Sequence, residues 1–382
     1  MLKLLKYTPQ ELAEYIKDKD CKVYIYGAGM IGKIVIPDFF IRFCIEKNLQ
    51  CYIDSDKRKQ GSSIKVKDRA VPICSMDSVK QWNDKCLIII TNSNFSPVLS
   101  MLDSLEYLNN IETAVFPVIQ TLEINKIKQK ERFFIKDYFT EEIPKIIHYC
   151  WFSGNPIPDY LNQCIQSWHE QCPDYEIVRW DENNYDISGN PYVKQAYEAG
   201  KWAFAADYAR LEILYNNGGF YIDTDVQLLK SLDILRKQGA FCGVEKWGNI
   251  NTGGCCGAVK HHIMLKEMLK YRKTIPFKYD DGTLNLETNG LYETVPFIQL
   301  GMRVDNSIQR INGMTVFSSD FFHPYDYMSG QTVITENTFS IHHFHGGWLD
   351  EKSRNARKKT AEQYNKVIYR MIKKENTTCS LN

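Results

Sequence analysis

The sequence predicts an α/β protein of two domains. Three observations carry this. A strand, a glycine turn, a helix and a second strand open the chain. A second alternation of strands and helices begins near Ile143, and a charged stretch separates the two series. The length, 382 residues with 44% hydrophobic, exceeds one ordinary core and suits two.

Residues 1 to about 20 read as a short amphipathic helix. Lys22–Tyr26 is an apolar strand that runs into Gly27-Ala28-Gly29-Met30-Ile31-Gly32, with a helix from Lys33. Strands follow at Gln50–Ile53, ending on Asp54, and at Cys86–Ile90, ending on Thr91-Asn92. This is the opening of a doubly wound sheet. Glu123–Glu142 is charged, helical in tendency, and taken as the connector. In the second series, Pro144 precedes an apolar strand through Trp151, followed by a helix over 158–171 and a strand over 175–180. A helix then ends near Gly200, and another spans Trp202–Asn216, closed by Gly218 as a left-handed cap. The strand from Gly219 to Ile222 ends on Asp223-Thr224-Asp225. The predicted limits are 1–125 and 143–350 for the domains, 126–142 for the connector and 351–382 for a basic helical tail.

Composition narrows the function. Lys+Arg is 47 against 46 Asp+Glu, so no global charge favours nucleic acid. None of the 12 cysteines forms a C-x-x-C pair, which fits reduced thiols in a cytoplasmic protein. The first residues lack a signal-peptide apolar core, and no window approaches the ~20 apolar residues that span a bilayer.

The chemistry centres on Asp223 and Asp225. In extended backbone, residues two apart point the same way, so two carboxylates converge and repel unless a cation lies between them. Oxygen ligands select Mg²⁺ or Mn²⁺, ions that bridge diphosphate oxygens and neutralise a departing nucleotide. Upstream, Asp207 and Arg210 lie three apart on a helix and share a face. An Arg there binds phosphate; an Asp holds a sugar hydroxyl or the Arg itself. Asp54-Ser55-Asp56 has the same spacing without this context and is given no metal.

These residues carry a resemblance. Ala205-Ala206-Asp207-Tyr208-Ala209-Arg210, followed by Leu214 through Asp225, resembles the signature of glycosyltransferase family 32. That family includes bacterial capsular polysaccharide transferases and yeast Golgi mannosyltransferases, and is similar in fold to the catalytic domains of large clostridial toxins. Ile143 through Trp151 resembles its opening strand. Ile341-His342-His343-Phe344-His345-Gly346-Gly347-Trp348 resembles its closing motif, with Gly347 where the family has Ser. The resemblance implies a GT-A domain, a UDP- or GDP-sugar donor, Mn²⁺ or Mg²⁺, and retention of anomeric configuration. It implies that Trp151 stacks on the nucleobase, that Asp207 holds the donor sugar, and that Arg210 makes phosphate-side contacts. Asp223 would touch ribose or sugar and belong with Asp225 to the metal site. His343, or its competitor His345, would be the third ligand, and Trp348 would close over the diphosphate. A lipid-linked saccharide acceptor in surface polysaccharide synthesis follows from the same resemblance.

Gly27, Gly29 and Gly32, with Asp54 22 residues beyond the last, form a dinucleotide fingerprint between strand and helix, so the first domain reads as Rossmann-like. NAD, another nucleotide or no ligand stays open there. The motif supports a rival, an NAD-dependent sugar-nucleotide epimerase or dehydratase. The two Tyr-x-x-x-Lys pairs, Tyr197/Lys201 and Tyr369/Lys373, are what chance spacing supplies. The rival also leaves Asp223 and Asp225 unused. A non-catalytic scaffold is the third reading. The tail from Glu351 to Glu375 carries nine basic and three acidic residues, with Val367, Ile368, Met371 and Ile372 as apolar positions. It suits peripheral contact with the inner face of a plasma membrane or, somewhat better, a solvated helix packed on the catalytic domain.

Overall fold

The first and last segments of the sequence fold together. The computed structural model describes residues 1–79, 82–120, 133–327, 329–346 and 351–373. It forms two units: one of Met1–Ile127, Asp326–Gln331 and Asp350–Asn382, the other of Lys128–Tyr325 and Thr332–Leu349. Both are α/β, as the alternating pattern predicts.

In the first unit, seven strands line up as β1-β7-β6-β2-β3-β5-β4. Their ranges are β1 Lys3–Leu4, β2 Lys22–Tyr26, β3 Leu49–Ile53, β4 Ser63–Val66, β5 Arg69–Cys74, β6 Cys86–Ile90 and β7 Glu112–Val115. All pairs are parallel except β4 with β5. The expected N-terminal helix is shorter than its pattern. Lys3 and Leu4 pair with β7, and α1 (Pro9–Lys19) starts only at the Thr8/Glu11 capping box. After the glycine turn, a π turn (Ile31–Val35) precedes α2 (Ile36–Arg42), so Pro37 occupies an N-terminal helix position where its missing N–H is not needed.

The basic tail is a helix, and it belongs to this unit. After α3 (Phe95–Asp103), the last helix of the chain (Glu351–Lys373) packs on α3. Arg370 forks onto Asp103 and also donates to the Leu2 carbonyl at 2.6 Å. Val367 and Met371, two of the tail's four apolar positions, are buried together with Tyr364 and serve packing.

The second unit is built on a mixed sheet in the order β15-β16-β12-β14-β10-β8-β9, with β13 beside β12. The ranges are β8 Ile146–Cys150, β9 Glu176–Trp180, β10 Gly219–Tyr221, β12 Ala240–Val244, β13 Ile250–Asn251, β14 Cys256–Ala258, β15 Gln309–Ile311 and β16 Met314–Phe317. Alternation along the strands divides the core in two. Tyr221, Ala240, Cys242 and Val316 enter one cluster, while Phe220, Ile222, Phe241 and Phe317 enter the other. Helices α4 (Asp159–Gln171), α5 (Pro191–Glu198), α6 (Trp202–Asn217), α7 (Ile263–Arg272) and α8 (Asn289–Gln299) complete the layers. Strand β11 (Val226–Leu228) pairs antiparallel with β17 (Ser340–His342).

Two local expectations change. Gly218 has φ +70° but ψ −169°, an extended left-handed conformation rather than the compact cap, because the chain must turn straight into β10. Residues 133–142 of the expected helical connector carry no helix. They run irregularly, with the Tyr138 and Phe139 N–H groups donating to the Lys237 carbonyl, and residues 121–132 lie outside the described residues. The free cysteines include Cys255 and Cys256, which alternation sends to opposite cores. Among the described residues, no helix is long and apolar enough to cross a membrane.

Candidate active site

Parallel strands bring the site together. Phe220 pairs with Ile147 and Tyr221 with His148, so β8 and β10 end at the same edge of the sheet. Trp151 follows one strand end and Asp223 the other. Crevices at such edges are where α/β sheets bind ligands. Trp151 is half-buried, and its indole N–H donates to the Asn155 carbonyl at 2.7 Å.

Asp223 is held from three sides. Its N–H donates to the Gly253 carbonyl at 2.8 Å, and its carboxylate takes Arg210 Nη2 at 3.1 and 3.3 Å. On the third side there is no room for a side chain: a Cβ on Gly253 would lie 2.0 Å from Asp223 Oδ2. Asp225 leads into β11, which Trp168 anchors by donating from Nε1 to the Val226 carbonyl at 2.8 Å.

The Val226↔His342 register then sets His342 beside Asp225. His342 Nε2 is 3.3 Å from Asp225 Oδ1, and the His345 N–H donates to Asp225 Oδ2 at 2.9 Å. Burial alone would raise the Asp225 carboxyl, but His342 and the His345 N–H hold it well below the usual range. Burial disfavours charge on His342, yet the Asp225 carboxylate raises its pKa.

Among the described residues, ligand atoms of Asp223, Asp225 and His342 lie within 4.8 Å of one another. The set is two carboxylates and one imidazole whose Nδ1 is buried without a hydrogen-bond partner. Such a donor set fits Mn²⁺ or Mg²⁺. The sequence expectation named His343 as third ligand. In the structure its N–H donates to the Asp225 carbonyl at 3.0 Å, while its ring stacks on His345. The register is the reason: Val226 pairs with His342, the last residue of β17, which sets the His342 ring at the Asp225 carboxylate. Trp348 and Gly347 lie outside the described residues.

Asp207 and Arg210 share a helix face as their spacing requires. Arg210 Nη2 is 2.9 Å from Asp207 Oδ1, so one guanidinium joins Asp207 to Asp223. Burial pushes the Asp207 carboxyl up to about 7, against the pull of Arg210 and Arg272. Glu293, also buried, accepts from the Thr252 N–H at 2.8 Å and from Asn289 Nδ2 at 2.6 Å. Sequence reasoning missed His342, Gly253, Arg272 and Glu293. His342 stood in the closing motif, one place before the residue named; an adjacent glycine pair before an apolar strand was the available signal for Gly253, and Arg272 and Glu293 had none beyond residue type.

The glycine loop of the first unit divides by role. A Cβ on Gly27 would meet Asn92 Oδ1 at 2.6 Å, and one on Gly32 would meet the Gly27 carbonyl oxygen at 2.2 Å, so both are required by packing. Gly29 has nothing within 4 Å. The Asp54 carboxylate is already engaged. It accepts from the Ala28 N–H at 2.9 Å, the Asp56 N–H at 2.9 Å and Lys59 Nζ at 3.2 Å.

Residues 158–275 match the family model described as a glycosyltransferase sugar-binding region containing a DXD motif. The chain is 30% identical over 158 residues to inositol phosphoceramide mannosyltransferase 3 of Schizosaccharomyces pombe, covering 40% of this chain and 43% of that protein. It is 30% identical over 145 residues to uncharacterized glycosyltransferase L373 of Acanthamoeba polyphaga mimivirus, covering 34% and 55%. It thus spans about half the length, or less, of these relatives. Among solved structures, PaToxG glycosyltransferase superposes with a TM-score of 0.33 at 19% identity, over 42% of this chain and 69% of that one.

Proposed function

We propose that this chain is a metal-dependent glycosyltransferase. It moves a hexose or N-acetylhexosamine from a UDP- or GDP-sugar to a saccharide acceptor, with retained configuration, in capsular or other surface polysaccharide synthesis. The observation that carries the reading is the gathering of Asp223, Asp225 and His342 beside Arg210 at one sheet edge. The DXD-region match and the names of the relatives support the same chemistry.

Asp223, Asp225 and His342 would hold the ion, which when bound supplies positive charge to the diphosphate oxygens of the departing nucleotide. Arg210 is fixed by two carboxylates before any ligand arrives. Its charge is therefore preorganised and needs no rearrangement as negative charge develops. Asp207, which shares the Arg210 Nη2 with Asp223, accepts from a donor-sugar hydroxyl, and Trp151 offers a ring face to the base. As the leaving group departs, the anomeric carbon gains oxocarbenium character. With retention, the departing phosphate oxygen takes the acceptor's proton, so no side chain is required as base.

We assign residues 143–350 as the GT-A domain and residues 1–125 as a Rossmann-like module outside the chemistry. With Asp54 engaged inside its own loop, the epimerase reading gains no support there. The acceptor is assigned as lipid-linked at the cytoplasmic face of a plasma membrane, where exposed Lys358 and Lys359 give the tail a cationic surface.

The test is a screen of UDP- and GDP-linked glucose, galactose, mannose and N-acetylglucosamine for binding and hydrolysis with Mn²⁺. One donor should be turned over, and both EDTA and Asp225→Asn should abolish turnover. Absence of binding and hydrolysis for every donor refutes the reading.

A further inference from the structure

Arg272, the last residue of α7, is 1% exposed, and none of its three guanidinium nitrogens has a hydrogen-bond partner among the described residues. Its charge lies over two rings, Tyr192 of α5 at 4.4 Å and Tyr292 of α8 at 4.8 Å. Rings attract the cation but supply no acceptor for its five N–H groups. A buried guanidinium without acceptors is costly, and such groups in native proteins call for an explanation.

Its surroundings point to one. The Asp207 carboxyl, raised by burial, feels Arg210 and Arg272 pulling it back and Glu293 and Asp223 raising it further. Glu293 is occupied by Thr252 and Asn289, whereas Asp207 feels the Arg272 charge, and its neighbour Tyr208 stacks at 6.4 Å on the Tyr192 ring that Arg272 covers. The Tyr192 hydroxyl, raised by burial, is drawn back by the charge and the N–H donors of Arg272, yet no partner meets it at full hydrogen-bond distance and angle. Donors from Arg272, a hydroxyl from Tyr192 and acceptors from Asp207 thus meet in one region. Asp207, with 15% of its side chain exposed, opens it to solvent. Arg210 joins Asp207 to Asp223 of the Asp223/Asp225/His342 cluster through one nitrogen, Nη2. A sugar ring suits all three groups, because each hydroxyl donates to a carboxylate and accepts from a guanidinium.

We propose that Arg272 and Tyr192 are specificity-determining residues of the donor-sugar pocket, binding hydroxyl oxygens on the side of the ring away from the diphosphate. This rests on the glycosyltransferase reading above. The rival explanation is a sealed chamber holding structural water.

The experiment uses the full chain with Mn²⁺. Calorimetry compares UDP-glucose, UDP-galactose, UDP-N-acetylglucosamine and GDP-mannose with sugar-free UDP and GDP, for wild type, Arg272→Met and Tyr192→Phe. Arg272→Met should weaken the accepted sugar nucleotide about ten-fold or more while sugar-free nucleotide stays within about two-fold. Tyr192→Phe should weaken it about three-fold with little change in Tm, since no full hydrogen bond to the protein is lost. If Arg272→Met does not fold, Tyr192→Phe decides alone. Unchanged sugar-nucleotide affinity, or equal loss with and without the sugar, overturns the proposal. Wild-type protein that binds no sugar nucleotide at all sinks the glycosyltransferase reading, and this proposal with it.

Discussion

Gly253→Ala should disable the site while leaving the fold standing. The added methyl would lie 2.0 Å from Asp223 Oδ2, 2.9 Å from its Cγ and 3.0 Å from Arg210 Nη1. Ordinary contact begins near 3.4 Å, so the oxygen must retreat by about 1.4 Å (3.4 − 2.0). Metal–ligand distances tolerate only about 0.2 Å, and the Arg210 contacts at 3.1 and 3.3 Å would be lost or redrawn with the carboxylate. Misplacement on the order of 1 Å costs about 100-fold in rate, or about 2.7 kcal/mol in the barrier. Gly253 is not among the residues with positive φ, so alanine adds no backbone strain. The clash falls on the end of a side chain, so overpacking should cost about 1–3 kcal/mol of stability. The assay is kcat/KM for Mn²⁺-dependent donor hydrolysis beside a thermal melt. A folded variant within about three-fold of wild type would show that Asp223 does not act from this position.

Four further outcomes are expected. Trp151→Ala should weaken UDP or GDP binding by ~1–3 kcal/mol if a base stacks there, and unchanged calorimetry would make Trp151 a packing residue. Gly29→Val fills open space in the first unit, so transfer should be unchanged; lost activity in a folded variant would bring the glycine loop into the chemistry. Burial pushes the Asp103 carboxyl up, but Arg370 and the Leu2 N–H outweigh it and hold the pKa below the ordinary value. A depressed carboxyl pKa stabilises fully above its unfolded value and ceases to as pH falls through the folded one. Hydrogen-exchange protection of the last helix, taken relative to the intrinsic rate at each pH, should therefore fall below about pH 4, and Asp103→Asn should lower it at pH 7; protection equal to that of wild type at pH 7 in both cases would contradict it. Anionic vesicles should retain the intact protein at low salt and release it at high salt, and no retention at low salt would leave the tail purely structural.

Much of the arrangement was legible in the sequence because it depends on local rules. Alternating apolar runs and glycine turns mark strands such as Lys22–Tyr26 and Cys86–Ile90 within a residue or so. The three-residue spacing of Asp207 and Arg210 fixes a shared helix face, and a strand end two residues from a second aspartate locates Asp223 and Asp225. What stayed hidden depends on pairing between distant segments. Whether His342 or His343 meets Asp225 is set by the β11–β17 register, and a one-residue slip would exchange them. That Gly253 must lack a side chain follows from the approach of the strand before Asp223, and that Arg272 lies near Asp207 follows from the packing of α6 with α7. The tail's apolar positions suited a membrane or, somewhat better, the catalytic domain; the structure instead joins Arg370 to Asp103 and Leu2 of the first unit. Local chemistry is written in the order of residues; contacts across a hundred or more residues are settled only when the competing burials of the whole chain are satisfied together.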